Sequence, residues 1–131
     1  MSSIAEMLSP YETVTSLPAG TVLFREGDEA DGVYYLHSGE ATLSFSSPRT
    51  RQARALLVAS AGEILGVSCA VSGRKHDCSA TTRSACVAGF VERDRFLRLL
   101  DEKPSLWLTV LRLISTNISA CWDCIRTLHA H

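Results

Sequence analysis

The sequence predicts a mainly β domain, built as a compact antiparallel sandwich or roll and completed by helices at its C-terminal end. Between residues 20 and 39 the glycines stand five to seven positions apart, separated by short β-branched or aromatic runs. This spacing is typical of short strands joined by tight turns. After residue 93 the apolar residues recur every three or four positions, as they do in amphipathic helices.

A single domain is the expected organisation. The chain has 131 residues, 46% of them hydrophobic, and a formal net charge of -1, which allows one core and disfavours a broad nucleic-acid-binding surface. No apolar run reaches the roughly 20 residues of a membrane span, and the N-terminus lacks a signal-peptide pattern. We therefore expect a cytoplasmic protein with no membrane partner, whose five cysteines are reduced thiols.

The β-roll is predicted to extend over about residues 13–92. Its strand-forming runs are rich in β-branched and aromatic residues and are bounded by glycines. They lie at residues 21–24, 33–36, 41–45, 55–59 and 86–91.

Two helices are predicted after the roll. Asp94 is suited to cap a short helix over about residues 94–101, which carries Phe96 and Leu100 on its apolar side. Pro104 then suits the first turn of a new helix, which we expect to extend over about residues 104–128.

The long helix carries an uncharged seam with alternating spacings of four and three, the pattern of a coiled coil. Leu106, Val110 and Leu113 form a second apolar strip beside it. We expect one strip to face the roll and the other a second copy of the chain; the alternative is one helix laying a wide apolar face on its own domain. The predicted homodimer interface contains Trp107, Leu111, Ile114, Ile118, Cys121, Ile125 and Leu128.

The order of these elements resembles a known family. The stretch "LPAGTVLFREGDEADGVYYLHSGEATL", the pair Gly62-Glu63 and the stretch "RDRFLRLLDEKPSLWLTVLRLI" are similar to the cyclic-nucleotide-binding effector domain of Crp/Fnr-type transcription regulators. The resemblance covers about Thr13 to Leu128 and implies an eight-stranded jelly roll, or double-stranded β-helix, followed by a dimerisation helix. Family members usually continue into a helix-turn-helix domain, whereas this chain ends at "RTLHAH". We therefore expect contact with DNA only through a domain absent from this chain.

The segment "AGEILGVSCAVSGRKHDCSA", residues 61–80, is the candidate anion site. A helix opening at Gly62-Glu63 would direct backbone N–H groups of residues 64–67 at a phosphate. The resemblance implies that Glu63 holds a ribose hydroxyl; from the residues alone, Gly62 could equally turn the chain with Glu63 capping the turn. The candidate ligand-binding residues are Gly62, Glu63, Ile64, Leu65, Arg74, Ser79, Ala80, Cys121 and Trp122.

Two departures from the family pattern weaken the expected binding of cyclic nucleotides. The family arginine that pairs with the phosphate is missing, because the matching segment reads His76-Asp77-Cys78-Ser79-Ala80. Losing that contact costs about one to two decades of affinity, unless Arg74 replaces it. Cys121 and Trp122 stand where members that bind cyclic AMP carry small hydroxyl residues, and Trp122 either stacks on a flat effector or fills the pocket.

No metal, cofactor or enzymatic activity is predicted. Cys121 and Cys124 lack the second ligand pair of a zinc site, and no cysteine precedes Cys69 to hold the iron–sulfur cluster of some family members. The sequence therefore predicts a dimeric regulatory domain that senses a cyclic nucleotide or another small anionic effector. A degenerate, ligand-free dimerisation scaffold and a cupin-type enzyme stay open as alternatives, although the His-x-His pattern expected of the enzyme is missing.

Overall fold

The computed structural model describes residues 4–46 and 53–112. Two four-stranded sheets pack together, and helices cover one of them. The elements in chain order are α1 Ile4–Leu8, β1 Thr13–Leu17, β2 Val22–Phe24, β3 Gly32–Ser38, β4 Ala41–Ser46, β5 Ala53–Ala59, β6 Ile64–Leu65, α2 Val67–Ser72, β7 Ser79–Thr82, β8 Cys86–Glu92 and α3 Arg93–Glu102. A further helix, α4, begins at residue 104 and is described to residue 112.

The strands form an antiparallel jelly roll. One sheet has the order β1-β8-β3-β6 and the other β2-β7-β4-β5, and every strand pair is antiparallel. Along the chain, successive strands change sheet at every step except between β4 and β5, so the chain is wound around the space between the sheets. The predicted fold class is therefore confirmed.

Buried apolar side chains form two clusters on opposite faces of the sheet that contains β3. Because side chains alternate along a strand, Val33 and Leu36 of β3 enter different clusters. The helix-side cluster contains Met7, Leu8, Val33, Ile64, Val67, Ala70, Val91, Phe96, Leu99, Leu100, Leu106 and Val110. The roll-side cluster contains Phe24, Leu36, Ala41, Ala59, Leu65, Ala80, Cys86 and Ala88.

Helix α3 is fixed at its first residue. It spans Arg93–Glu102, close to the predicted residues 94–101. The backbone N–H of Arg93 donates to the carbonyl of Asp31 at 2.8 Å, and its side-chain Nε donates to the carbonyl of Ala70 at 2.7 Å. Arg93 therefore ties the start of α3 to the β2–β3 connection and to α2.

The two apolar strips of helix α4 differ in how deeply they are buried. Leu106 and Val110 are fully buried in the helix-side cluster, Trp107 is half-buried against it, and Leu111 is 54% exposed. The strip of Leu106 and Val110 thus faces the domain itself. The other predicted seam residues, Ile114, Ile118, Cys121, Ile125 and Leu128, lie outside the described residues. Across the described ranges, the helices are too short or too polar to cross a membrane.

Candidate functional site

The turn at Gly62 is docked onto β3. Gly62 has a φ of 94°, a left-handed conformation that favours glycine, and its N–H donates to the carbonyl of Leu36 at 2.8 Å. The Glu63 carboxylate accepts a hydrogen bond from the N–H of Ser60, while its backbone carbonyl accepts one from the N–H of Leu36 at 3.0 Å. Gly62 therefore turns the chain and Glu63 caps that turn.

The helix that was predicted to open at Gly62-Glu63 begins later than expected, so that prediction was wrong. Ile64 and Leu65 form β6, which pairs with Tyr35 and Tyr34 of β3, and α2 begins only at Val67. The physical reason is burial in two directions: Ile64, 3% exposed, packs in the helix-side cluster, and Leu65, 4% exposed, packs in the roll-side cluster. Strand alternation sends two consecutive side chains to opposite faces of the sheet, whereas a helix would place them about 100° apart.

Residues 76–80, where the sequence lacks the family's phosphate-binding arginine, are held by the turn after β2. The His76 N–H donates to the carbonyl of Asp28, and the Gly27 N–H donates to the carbonyl of His76, both at 2.8 Å. The Ser79 hydroxyl accepts a hydrogen bond from the N–H of Glu26 at 2.9 Å. These three bonds fix residues 76–79 against residues 26–28.

Cys78 and Ala80 face the space between the sheets. Ala80 lies in β7, is fully buried in the roll-side cluster, and stands beside Leu43 and Phe24 of the neighbouring strands. Cys78 is partly buried and packs against the same cluster. An uncharged thiol thus occupies the position at which the sequence resemblance places an arginine. Cys69, Cys78 and Cys86 are not in disulfides.

Arg74 lines a cavity that is separate from the Gly62-Glu63 turn. Gly73, with a φ of 74°, ends α2, and the Arg74 Nε donates to the Ser72 hydroxyl at 2.9 Å. Arg74 lines a cavity of about 550 Å³ whose wall contains neither Gly62 nor Glu63. That wall is formed by Glu29, Ala30, Asp31, Gly73, Arg74, Phe90, Glu92, Arg93 and Asp94.

A second cavity, of about 370 Å³, was missed by the sequence analysis. The His76 ring in its wall stacks on Phe24 with 3.8 Å between ring centroids. Burial lowers the pKa of His76, which nearby Asp28, Asp77 and Asp31 oppose. Burial, and then Asp31, raise the pKa of Tyr34. The available signal was the acidic run "EGDEADG" at residues 26–32; the wall contains Leu23, Phe24, Asp28, Glu29, Asp31, Gly32, Tyr34, His76 and Phe90.

Comparison with protein families identifies the roll. The model of the cyclic nucleotide-binding domain matches residues 14–103, which is more than half of the chain. The chain belongs to this family. A comparison with curated protein sequences finds no significant match.

Solved structures of transcription regulators share the fold of this cyclic nucleotide-binding domain. The catabolite activator protein of Thermus thermophilus is 21% identical with a TM-score of 0.79; 94% of this chain covers 57% of that one. The regulator CLP of Xanthomonas campestris, described as responsive to c-di-GMP, is 22% identical with a TM-score of 0.74, and 95% of this chain covers 61% of that one. The sensor domain of DNR from Pseudomonas aeruginosa is 22% identical with a TM-score of 0.70; 90% of this chain covers 79% of that one. The chain thus spans somewhat more than half the length of the first two regulators.

Within this cyclic nucleotide-binding domain, the structure brings together part of the predicted site. Leu65 and Ala80 share the roll-side cluster, and the Gly62-Glu63 turn is bonded to Leu36 of that cluster. Ile64 points to the helix side and Arg74 to the 550 Å³ cavity. Cys121 and Trp122 lie outside the described residues. Among residues 4–46 and 53–112, no group of three or more histidine, cysteine or acidic side chains could hold a metal ion.

Proposed function

We propose that this domain senses a small anionic effector and, as a homodimer, transmits that binding to a DNA-binding domain of a Crp/Fnr-type transcription regulator. The family match over residues 14–103 supports an effector-binding role. The roll-side cluster supports the position of the site, because its small side chains, such as Ala41, Ala59 and Ala80, allow a ligand to approach the backbone closely. No catalytic role is part of this proposal.

The family match carries the effector-binding role, and the placement of Cys78 against the roll-side cluster carries the proposal that the phosphate site is altered. In the family the residue at this position is an arginine that pairs with the cyclic phosphate, as the sequence resemblance implies. A thiol supplies no charge, and Asp77 beside it disfavours an anion. Cyclic AMP and cyclic GMP therefore bind at best in the high-micromolar range, and an effector with less phosphate charge is better suited to this roll.

Glu63 keeps its proposed role as a hydroxyl acceptor. Its carboxylate already accepts the N–H of Ser60, and an ionised carboxylate has about four acceptor sites on its two oxygens. The side chain can therefore cap the turn and still hold a ribose hydroxyl. The turn would position that carboxylate before the effector arrives.

Calorimetric titration with cyclic AMP tests the altered phosphate site. The variant Cys78→Arg restores the charge, and we expect it to bind cyclic AMP about 10- to 100-fold more tightly than the natural chain. Cys78→Ala is the matched control and leaves the weak binding unchanged. Submicromolar binding of cyclic AMP or cyclic GMP by the natural chain, or no gain from Cys78→Arg, would contradict the proposal.

Arg74 is the obvious candidate to replace the missing arginine. We expect Arg74→Ala to leave nucleotide affinity unchanged, because its guanidinium bonds to Ser72 and lines the 550 Å³ cavity. Glu63→Ala, in the same titration, should weaken the binding of any ribonucleotide. If both substitutions abolish a tight binding, Arg74 is the compensating residue.

The dimer proposal rests on the seam of the long helix. Leu106 and Val110 face the domain itself, Trp107 packs partly against it, and Leu111 is exposed, which leaves the Leu111 side of α4 for a second copy of the chain. We expect Ile118→Glu to give a monomer, since an unpaired charge in an apolar interface is strongly unfavourable. Ser105→Glu, at an exposed position of α4, is the control and should leave the dimer intact. A natural chain that is monomeric by light scattering at micromolar concentrations would refute the dimer.

A ligand-free dimerisation scaffold is the second candidate. The partly buried Cys78 and the bulky Trp122 favour it, because both could fill the space that a nucleotide would occupy. Titration with a panel of nucleotides and small anions separates the two functions, since a scaffold binds none of them. For either function, the net charge of -1 predicts no sequence-selective retention of duplex DNA by this chain at physiological salt.

A further inference from the structure

The 370 Å³ cavity is bounded by the β2–β3 connection, by β3 and by residue 76. Its wall contains three carboxylates, those of Asp28, Glu29 and Asp31, and no lysine or arginine. One oxygen of Asp28 accepts the N–H of Arg25 at 3.0 Å, which leaves its second oxygen available. The charged groups of this wall are therefore all acceptors.

His76 is a second and independent sign of a ligand. It lines the same cavity although only 5% of its surface is exposed. Within the part of the chain that the structure describes, its ring stacks on Phe24, and no hydrogen bond to a ring nitrogen is found. The one enclosed side-chain atom without a partner among these residues is Oε2 of Glu12, so the ring nitrogens of His76 are reached from the cavity, where a ligand can bond to them.

We propose that this cavity binds a primary ammonium group carried by a small apolar or aromatic body. An ammonium group donates three hydrogen bonds, which the exposed carboxylates of the wall, a ring nitrogen of His76 and solvent can accept between them. Because burial lowers the pKa of His76, the ring is neutral at neutral pH and offers one acceptor nitrogen. The site therefore matches a cation that donates hydrogen bonds and accepts none, as an ammonium group does.

The walls decide between an organic cation and a metal ion. Phe24, Tyr34 and Phe90 line the cavity, with Tyr34 and Phe90 centroids 5.0 Å apart, and aromatic faces attract organic cations and apolar bodies. A volume of about 370 Å³ suits a small molecule. The acidic side chains are not arranged to hold a metal in the described chain. Glu29 and Asp31 also line the neighbouring cavity, whose wall contains Arg74 and Arg93.

This inference is independent of the proposed effector site. The cavity wall contains none of Gly62, Glu63, Cys78 and Ala80. Substitutions in one site should therefore leave binding at the other intact, and either proposal can fail alone.

Calorimetry with 2-phenylethylamine as the probe tests the ammonium site at neutral pH. We expect saturable binding, with 2-phenylethanol at least about tenfold weaker because it lacks the charge. Asp31→Asn and His76→Phe should each weaken the amine about tenfold; phenylalanine keeps a ring against Phe24 and removes the acceptor. Glu102→Gln, an exposed acid at the end of α3, is the control and should change nothing.

Three results with the amine or alcohol would overturn the ammonium site, and a fourth with calcium would replace it. They are equal affinity for the alcohol and the amine, no heat with millimolar amine, and amine binding that Asp31→Asn leaves unchanged. Saturable binding of calcium that Asp31→Asn abolishes would also overturn it in favour of a metal site. Glu29→Gln changes an exposed side chain of the turn and so tests the same contact with little risk to folding.

Discussion

The two clusters on either side of β3 are built from side chains of different size. The helix-side cluster consists of large aliphatic and aromatic residues with Ala70 as its one alanine. The roll-side cluster has alanine at four of its eight positions, Ala41, Ala59, Ala80 and Ala88. Large interlocking side chains make a core stable because each buries much apolar surface. We therefore expect the helix side to carry most of the stability and the roll side to depend more on hydrogen bonds between its strands and turns.

Phe96→Ala gives the largest expected effect. Phe96 is fully buried in the helix-side cluster, and removing a buried phenylalanine costs about 3–5 kcal/mol. Urea unfolding followed by circular dichroism measures the loss. Arg98→Ala, exposed on the same helix, is the control and should stay within about 0.5 kcal/mol. A loss below about 1 kcal/mol for Phe96→Ala would show that the helices are not the main source of stability.

Glu12 is a polar exception among buried side chains, and Gly89 makes room for it. The Glu12 side chain is 4% exposed, with Oε1 2.7 Å from Nε2 of His37 and Oε2 without a partner among the described residues. A side chain at position 89 would overlap this carboxylate. We expect Gly89→Ala to destabilise the domain by about 1–3 kcal/mol, measured by the same unfolding experiment.

A double variant isolates the cause of that loss. If the clash with Glu12 is responsible, Gly89→Ala combined with Glu12→Ala should be more stable than the sum of the two single losses predicts. Additive losses would show that Gly89 is needed for another reason.

Thr82 tests the hydrogen bonds that hold the start of β2 against β7. This buried threonine accepts the N–H of Thr21 and donates to the carbonyl of Pro18, both at 2.8 Å, and so holds the start of β2 against β7. Thr82→Val keeps the shape but leaves the N–H of Thr21 without a partner, which costs about 1–2 kcal/mol. Thr81→Val, on the same strand, is the control and should lower the free energy of unfolding by less. Equal losses would mean that the two hydrogen bonds of the Thr82 hydroxyl contribute little.

The sequence predicted the longer strands better than the short elements. The runs at 33–36, 41–45 and 86–91 lie within β3, β4 and β8, because glycine turns and β-branched residues act locally. The short elements α1 and β7 were missed. β7, Ser-Ala-Thr-Thr, has little apolar pattern of its own and is a strand because it pairs with β2 and β4; such tertiary pairing is invisible to periodicity.

The candidate site was harder to predict than the fold. Glycine and glutamate at 62–63 were correctly identified as a turn in one of two interpretations, but the strand at Ile64–Leu65 depended on two separate cores that the sequence does not reveal. The 370 Å³ cavity joins residues 23–34 to His76 and Phe90. Groups so far apart in sequence meet only through the fold, so the acidic run at residues 26–32 marks one part of the wall and not its meeting with His76 and Phe90.

His76 is a buried polar side chain that stacks on Phe24 of the roll-side cluster. Its titration gives the smallest predicted effect on the free energy of unfolding. Burial holds the native pKa of His76 below its ordinary value of 6.5, and the charges of Asp28, Asp77 and Asp31 partly oppose this. Between the two pKa values the unfolded chain binds more protons than the native chain, so the free energy of unfolding falls as pH drops below about 6.5. The stabilisation is complete above that pH.

The variant His76→Phe isolates this contribution, because phenylalanine can stack on Phe24 and does not titrate. We expect its free energy of unfolding, measured by urea titration at several pH values, to decline less than that of the natural chain as the pH falls through 6.5. Asp77→Asn removes one charge that opposes burial, so it should lower the native pKa of His76 further and make the decline steeper. Equal pH profiles for the natural chain and His76→Phe would show that His76 is protonated as easily in the fold as in water, and the cavity that it lines would then be open to solvent rather than prepared for a ligand.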